Sequence, residues 1–410
     1  MLENLKQDQD ARTSTDWGHV FLFFAAGVVA AFQVGKAPPV LPLLRIELGL
    51  SLVMAGWVLS ATSILGAFTA PAAGAISDWL GHRRMMSFGL ACSALGSLMV
   101  SFAPTTAVLL GSRFIEGIGY IWIAVSAPGL ILQVTRKNDV RMAFGVWGSF
   151  LPAGASTMML LAPFLVEFFG WRGLWRINAL IPFTFAIILV LATRGLDSHV
   201  TRRRNPLKNL IKDIWLTVKT PGPLLLALCF AAYGIQFVVV TGFLPTLLLE
   251  ENGVTKVRAA LLSAIVVALN APGNLFGGWL LQKGIKRWHL VAVANLISGL
   301  CCLGIYKTGM PLPSTFLLCL VFSGVGGMFP AAALHGAAVN APTPELVATS
   351  QGLLLQGAQL GLLTGPPIAA TVVSRTGDWQ SASWVLMAAA LLVVALSFGL
   401  GAEERRRGIE

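Results

Sequence analysis

The sequence predicts an all-α membrane protein: twelve transmembrane helices arranged as two pseudo-symmetric six-helix bundles. Three observations carry that prediction. The 410 residues are 56% hydrophobic and only 11% charged, with a mean hydropathy of +0.76, well below the charged share of a soluble domain. Apolar runs long enough to cross a ~30 Å hydrocarbon layer, about 20 residues each, recur along the whole chain. The second half of the chain also repeats the first.

Residues 1–17 mix acids with bases, whereas a cleaved signal starts basic and ends a short apolar stretch at small residues, so they read as a retained cytoplasmic tail. Six spans follow at 18–43, 52–77, 85–104, 106–134, 141–168 and 173–193, making an N-terminal bundle over 18–193. Residues 194–221 form a polar linker. Within it Leu207, Leu210, Ile211, Ile214 and Val218 recur at helical spacing among Lys208, Lys212 and Lys219, which predicts a short helix on the inner membrane surface. A disordered connection is the competing reading for its first part. Six further spans at 222–247, 257–281, 289–308, 313–337, 347–374 and 381–401 make a C-terminal bundle over 222–401, and 402–410 are a second cytoplasmic tail.

Basic residues gather on one side of this topology, among them Arg83, Arg84, Arg136, Lys137, Arg141, the run Arg202, Arg203, Arg204, and Arg405, Arg406, Arg407. That asymmetry predicts both termini on the cytoplasmic side of the cell membrane, a bacterial inner membrane by expectation. It accounts for most of the net charge of +11, so the charge points to topology and anionic headgroups, with no nucleic acid as partner. A monomer in the lipid bilayer is expected. All five cysteines, Cys92, Cys229, Cys301, Cys302 and Cys319, fall within spans, against a disulfide framework. The five histidines lack metal-ligand spacing, and no HExxH, GxSxG or Walker sequence occurs. No enzyme, cofactor or metal is expected.

The repeat is read by sliding one half over the other. At an offset of 203, Gln33 meets Gln236, Leu41 meets Leu244, Pro42 meets Pro245 and Glu47 meets Glu250. The same offset carries Gly74, Gly81, Arg83 and Arg84 onto Gly277, Gly284, Lys286 and Arg287. Later spans match near 207, with Gly117 on Gly324 and Gly119 on Gly326. Parallel six-span repeats are one of the architectures of secondary transporters. GAISDWLGHRR, residues 74–84, resembles the signature between the second and third spans of the major facilitator superfamily, and RFIEGIG, residues 113–119, resembles its fourth-span motif. The resemblance covers essentially the whole chain and implies alternating access, with Gly74, Asp78, Gly81, Arg83 and Arg84 as a conformational latch. The second-half copy, GGWLLQKGIKR, has Leu281 where the first has Asp78. The fifth span lacks the Gly-Pro pair of the superfamily's exporters, while the eleventh runs from Gly357 through Gly361 to Gly365 and Pro366.

Three charged residues lie clearly within the spans, Lys36, Arg113 and Glu116. Each costs at least about 2.5–3.5 kcal/mol at a helix centre and needs a partner or a cavity. Lys36 follows Gly35 and precedes Pro38 and Pro39, a place for a bend with freed carbonyls, so it is expected to bind the anionic group of a substrate. Snorkelling to the outer interface is the alternative. Gln33, and across the repeat Tyr233 and Gln236, add hydrogen-bonding groups from both halves. Arg113, Glu116 and Tyr120 share one face of the fourth span. Glu116 is the expected proton carrier with Arg113 as its partner, because burial raises a carboxyl's pKa toward neutrality; a structural ion pair is the alternative. Asn270 and Asn274, with Ser263, form a polar stripe in the eighth span and Gln356 with Gln359 another in the eleventh. Such stripes line a substrate path or bond neighbouring helices. Trp122 and Trp147 either stack a flat substrate or pack the core.

The expected function is a secondary active transporter of a small organic or inorganic anion, such as a monocarboxylate, by proton symport. Within the superfamily the chain is similar to bacterial anion carriers of the cyanate-transporter-like type. The alternatives are a proton-driven drug or metabolite exporter, in which the eleventh-span Gly-Pro motif matters, and a non-transporting signalling or scaffold protein with the same fold.

Overall fold

A computed structural model describes residues 14–136, 139–194, 207–343 and 346–408, and among these every regular element is a helix. The first span is α1 (Trp17–Gly35) and α2 (Ala37–Glu47), joined at Lys36. Asp16 starts it by accepting the His19 N–H at 3.1 Å. Lys36 N–H still reaches Phe32 O at 3.0 Å, but Pro38 and Pro39 have no N–H to continue the ladder, so the rod bends there. The second span is α3 (Leu52–Ser60), a 3₁₀ turn over Ala61–Ser63, and α4 (Ile64–Leu80). Gly81, with φ 98°, turns the chain into α5 (His82–Ser101), the third span. The fourth is α6 (Thr106–Val134). The fifth is α7 (Val140–Gly148) with the first part of α8 (Phe150–Ala192), and the sixth is the rest of α8 beyond Gly170, whose φ of 67° breaks the helix. Linker helix α9 (Leu207–Lys219) follows.

The second half repeats this order. Its spans are α10 (Pro221–Asn252), then α11 (Lys256–Ala268) with α12 (Asn270–Gln282), then α13 (Arg287–Ile305). The tenth is α14 (Leu312–Gly326) with α15 (Met328–Val339), followed by α16 (Val347–Thr376) and α17 (Gln380–Arg406). Among the described residues the helices group into twelve rods, as expected, with ends shifted by a few residues. The largest shifts are five residues, at the end of the seventh span, which runs to Asn252, and at the C-terminus, where the expected tail from 402 is helix to Arg406. Glu404 there is 2% exposed, paired with Arg287 and accepting from Asn340 Nδ2 at 2.8 Å, which holds the last turn against the bundle. Residues 1–13 of the expected N-terminal tail, and Arg202, Arg203 and Arg204 of the linker, lie outside the described residues.

Call the end bearing both termini the terminal end and the other the distal end. At the distal end the two bundles share one apolar core, in which Leu41, Leu44 and Val58 of the first half join Phe243, Leu247 and Val373 of the second. At the terminal end each bundle has its own, one around Phe23, Leu90 and Ile131, the other around Leu226, Val291 and Phe329. The fifth and eighth spans also touch through Ala155, Met159, Ala264 and Val267. The second and eleventh spans pack along much of their length, Gly56 on the Pro366 backbone and Gly352 on Pro71. A duplicated contact closes each distal end: Trp171 Nε1 donates to Glu47 at 2.5 Å and Trp379 Nε1 to Glu250 at 3.0 Å. Arg45 Nη1 then crosses from the first bundle to Glu250 in the second at 2.9 Å.

Candidate functional site: a buried charge cluster in one half

The bend at Lys36 aims its side chain into the interior of the first bundle. Its Nζ donates to Gln33 Oε1 at 2.5 Å, Ser97 Oγ at 2.8 Å and Glu116 Oε1 at 2.6 Å, which uses all three ammonium protons. The other carboxylate oxygen of Glu116 accepts from Arg113 Nη1 at 2.5 Å. Arg113 also donates to two main-chain oxygens, Gln33 O at 2.8 Å and Val58 O at 3.1 Å. The Trp175 ring lies 5.0 Å from the Lys36 Nζ, a favourable face for a cation. Lys36 and Glu116 are 0% exposed and Arg113 1%, so Lys36 does not snorkel. Four spans and the edge of a fifth thus meet in one network of two cations and one anion, net +1 when all three are ionised. Gly96 lets it form, because any Cβ there would lie 2.7 Å from Glu116 Cγ.

Tyr120, one turn from Glu116, is 6.3 Å from Phe150, and Phe150 stacks on Trp147 at 4.3 Å. Trp147 in turn fills the space beside Gly27. Trp122 instead meets Phe88, half exposed on the outside of the bundle. Across the repeat, Tyr233 stacks with Phe237 at 6.0 Å and lies 4.8 Å from Phe329, and Asn270 Nδ2 donates to its hydroxyl at 3.2 Å. Gln236 Nε2 donates to Asn295 Oδ1 at 3.3 Å. Ser263 bonds the carbonyl one turn back, and Asn274 is half-buried beyond Asn270. Gln356 donates across the bundles to Ala67 O at 3.0 Å, and Gln359 packs over Gly66. The structure therefore gathers Gln33, Lys36, Arg113 and Glu116 in one half, Tyr233, Gln236 and Asn270 in the other, and Gln356 and Gln359 at the seam.

At the terminal end, Arg83 donates to Thr193 Oγ1 and Val190 O, both at 2.7 Å. Arg84 is exposed, Gly74 has open space beside it, and the Asp78 side chain lies outside the described residues. Sequence reasoning missed Ser97, Trp175 and the Arg45 crossing. Ser97 is one of many serines and carries no distinguishing neighbour, and Trp175 lies far along the chain. Glu47 and Glu250 stand out as repeat mates, the one signal from which their shared tryptophan contact could have been sought.

The sequence model for the Major Facilitator Superfamily matches residues 23–353 and 226–409. The chain is 22% identical over 388 residues, 93% of its length and 94% of the relative's, to the putative niacin/nicotinamide transporter NiaP of Bacillus subtilis. It is 27% identical over 262 residues, 59% of its length and 51% of the relative's, to the methyl viologen resistance protein SmvA of Salmonella typhimurium. A crystal structure of a bacterial homolog to the human lysosomal transporter Spinster, inward-facing and occupied, superposes with a TM-score of 0.76 at 15% identity, covering 94% of this chain and 96% of that one.

Proposed function

The chain belongs to the Major Facilitator Superfamily of transporters, and from that premise we propose that it carries a small monocarboxylate with a flat aromatic body across the cell membrane together with a proton. The observation that supports this most is the one-sidedness of the charge cluster. The repeat mates of Lys36, Arg113 and Glu116 are Val239, Leu320 and Ser323, so a bundle of the same design folds with no charge at these places. Ions that the fold does not need, and that cost several kcal/mol to bury, are kept for another purpose.

The cluster couples the two solutes through Glu116. As a carboxylate it occupies both cations, and no ammonium proton is left for a substrate. When Glu116 takes up a proton it becomes a weaker acceptor, and Lys36 and Arg113 are released to an incoming carboxylate. The charge balance favours joint movement: the empty cluster carries +1, and the cluster with one proton and one anion also carries +1. The aromatic groups around Tyr120 and Tyr233 offer faces for a flat solute, in keeping with the niacin in the name of the Bacillus relative. With both termini in the cytoplasm, the separate terminal cores let the bundles part toward the cell interior while the shared distal core keeps the outside closed.

Glu116→Gln tests this reading in proteoliposomes. Accumulation driven by a proton gradient is expected to fall at least tenfold while exchange of substrate across the membrane persists. Unchanged accumulation overturns it. A second reading, a proton-driven exporter of organic cations, draws on the SmvA relative. It predicts resistance to such a compound that survives Lys36→Ala.

A further inference from the structure

Linker helix α9 has two apolar faces. Leu210, Ile214 and Val218 of the periodic stripe lie half-buried, and Thr217 beside them is 0% exposed. They are covered because α9 packs on α4 of the first bundle and on α10 and α16 of the second. The other face holds Ile211, Trp215 and Leu216, which are 83%, 59% and 44% exposed. Lys212 and Lys219 are exposed beside them, while Asp213, the acid of the helix, falls on the half-buried side. The outward face is therefore apolar along its length and positive at its edges.

Such a face fits a membrane surface. Exposed apolar side chains are ordinary on the spans, whose outer faces meet acyl chains, but α9 has four charged residues in 13, Lys208, Lys212, Asp213 and Lys219, too many for the hydrocarbon. In water the three neighbouring apolar groups would form an aggregation-prone patch. The boundary between headgroups and acyl chains satisfies both parts of the face. Chain continuity holds the helix at that boundary, because α9 ends at Lys219 and the seventh span begins at Pro221. Tryptophan favours the same level, and Lys219 Nζ lies 4.7 Å from the Trp215 ring centre, which keeps an ammonium at the depth of the indole. The pairing recurs nearby at the terminal end. Lys283 Nζ is 5.6 Å from the Trp279 ring where the eighth span ends, and Arg405 Cζ is 5.8 Å from the Trp288 ring where the ninth begins.

We propose that α9 docks on acidic phospholipids of the leaflet at the terminal end, with Ile211, Trp215 and Leu216 among the upper acyl carbons and Lys212 and Lys219 on the headgroup phosphates. A lysine near an acidic leaflet strengthens binding about fivefold, so the pair favours an acidic surface over a zwitterionic one by roughly thirtyfold. The surface lies apart from the buried charge cluster and is independent of the solute carried. The full chain in lipid nanodiscs is the material for the test, with discs of phosphatidylcholine alone or mixed with phosphatidylglycerol. Hydrogen–deuterium exchange over residues 207–219 is the readout. Exchange is expected to slow at least tenfold in the mixed discs, and the slowing to fade as salt screens the lysines. Lys212→Gln/Lys219→Gln, which changes two exposed side chains and leaves the packed face intact, is expected to exchange alike in both discs. Two outcomes overturn the proposal: equal exchange of the unaltered protein in both discs, as a helix facing only water or a soluble partner gives, or a lipid-dependent slowing that survives the double lysine variant.

Discussion

Glu116 is the one anion that both Lys36 and Arg113 face in the bundle interior. Removing Glu116 leaves two uncompensated cations in the bundle interior, at a cost of about 3–5 kcal/mol, whereas removing Lys36 leaves the Arg113–Glu116 pair. Replacing the whole set behaves differently. The variant Lys36→Val/Arg113→Leu/Glu116→Ser carries the residues that the second bundle has at the matching places. It is expected to purify as a folded protein with a thermal midpoint at or above that of Glu116→Ala, and to transport nothing. A triple variant that unfolds would make the cluster structural. The three charges were legible in the sequence because they interrupt apolar runs, and Arg113 and Glu116 were paired by helical spacing alone. The meeting of Lys36 with Glu116 was not, since it joins positions 80 residues apart and depends on how the first span bends past the fourth. Ser97 was hidden for the same reason.

At the scale of the helix, glycines decide how close the spans come. A Cβ on Gly357 or Gly361 would lie 2.1 Å from Ala227 O or Ala231 O, and one on Gly365 3.0 Å from Ile235 Cα. The Gly-x-x-x-Gly-x-x-x-Gly-Pro run of the eleventh span is therefore a packing face for the seventh. Gly361→Val is expected to push these spans apart and cost at least about 1–3 kcal/mol, read as a lowered thermal midpoint in detergent. Gly278→Val, beside open space, is the control expected to leave the midpoint within error. Span number, order and the linker helix followed from apolar length and periodicity. Span ends did not, because side chains such as Glu404 extend a helix by finding partners that are distant in sequence.

For the whole molecule, the contact between Arg45 and Glu250 is a charged crossing at the distal seam. Both side chains are partly exposed, at 29% and 43%, so the pair contributes at most about 1 kcal/mol. Over two conformations that is roughly a fivefold shift in population. Arg45→Ala is expected to raise the distal-open fraction by up to that factor, seen as longer distances between spin labels on the distal loops, and Glu250→Gln to act alike. A distance distribution unchanged in both variants would leave the apolar core as the sole closure. That core also sets an order of events in folding. Each bundle contains a complete apolar nucleus of its own at the terminal end, while the distal core is incomplete until both are present. In the language of cooperative units, the chain is two foldons with a late-forming seam. The surface that turnover must open is then the one that the nascent chain closes last.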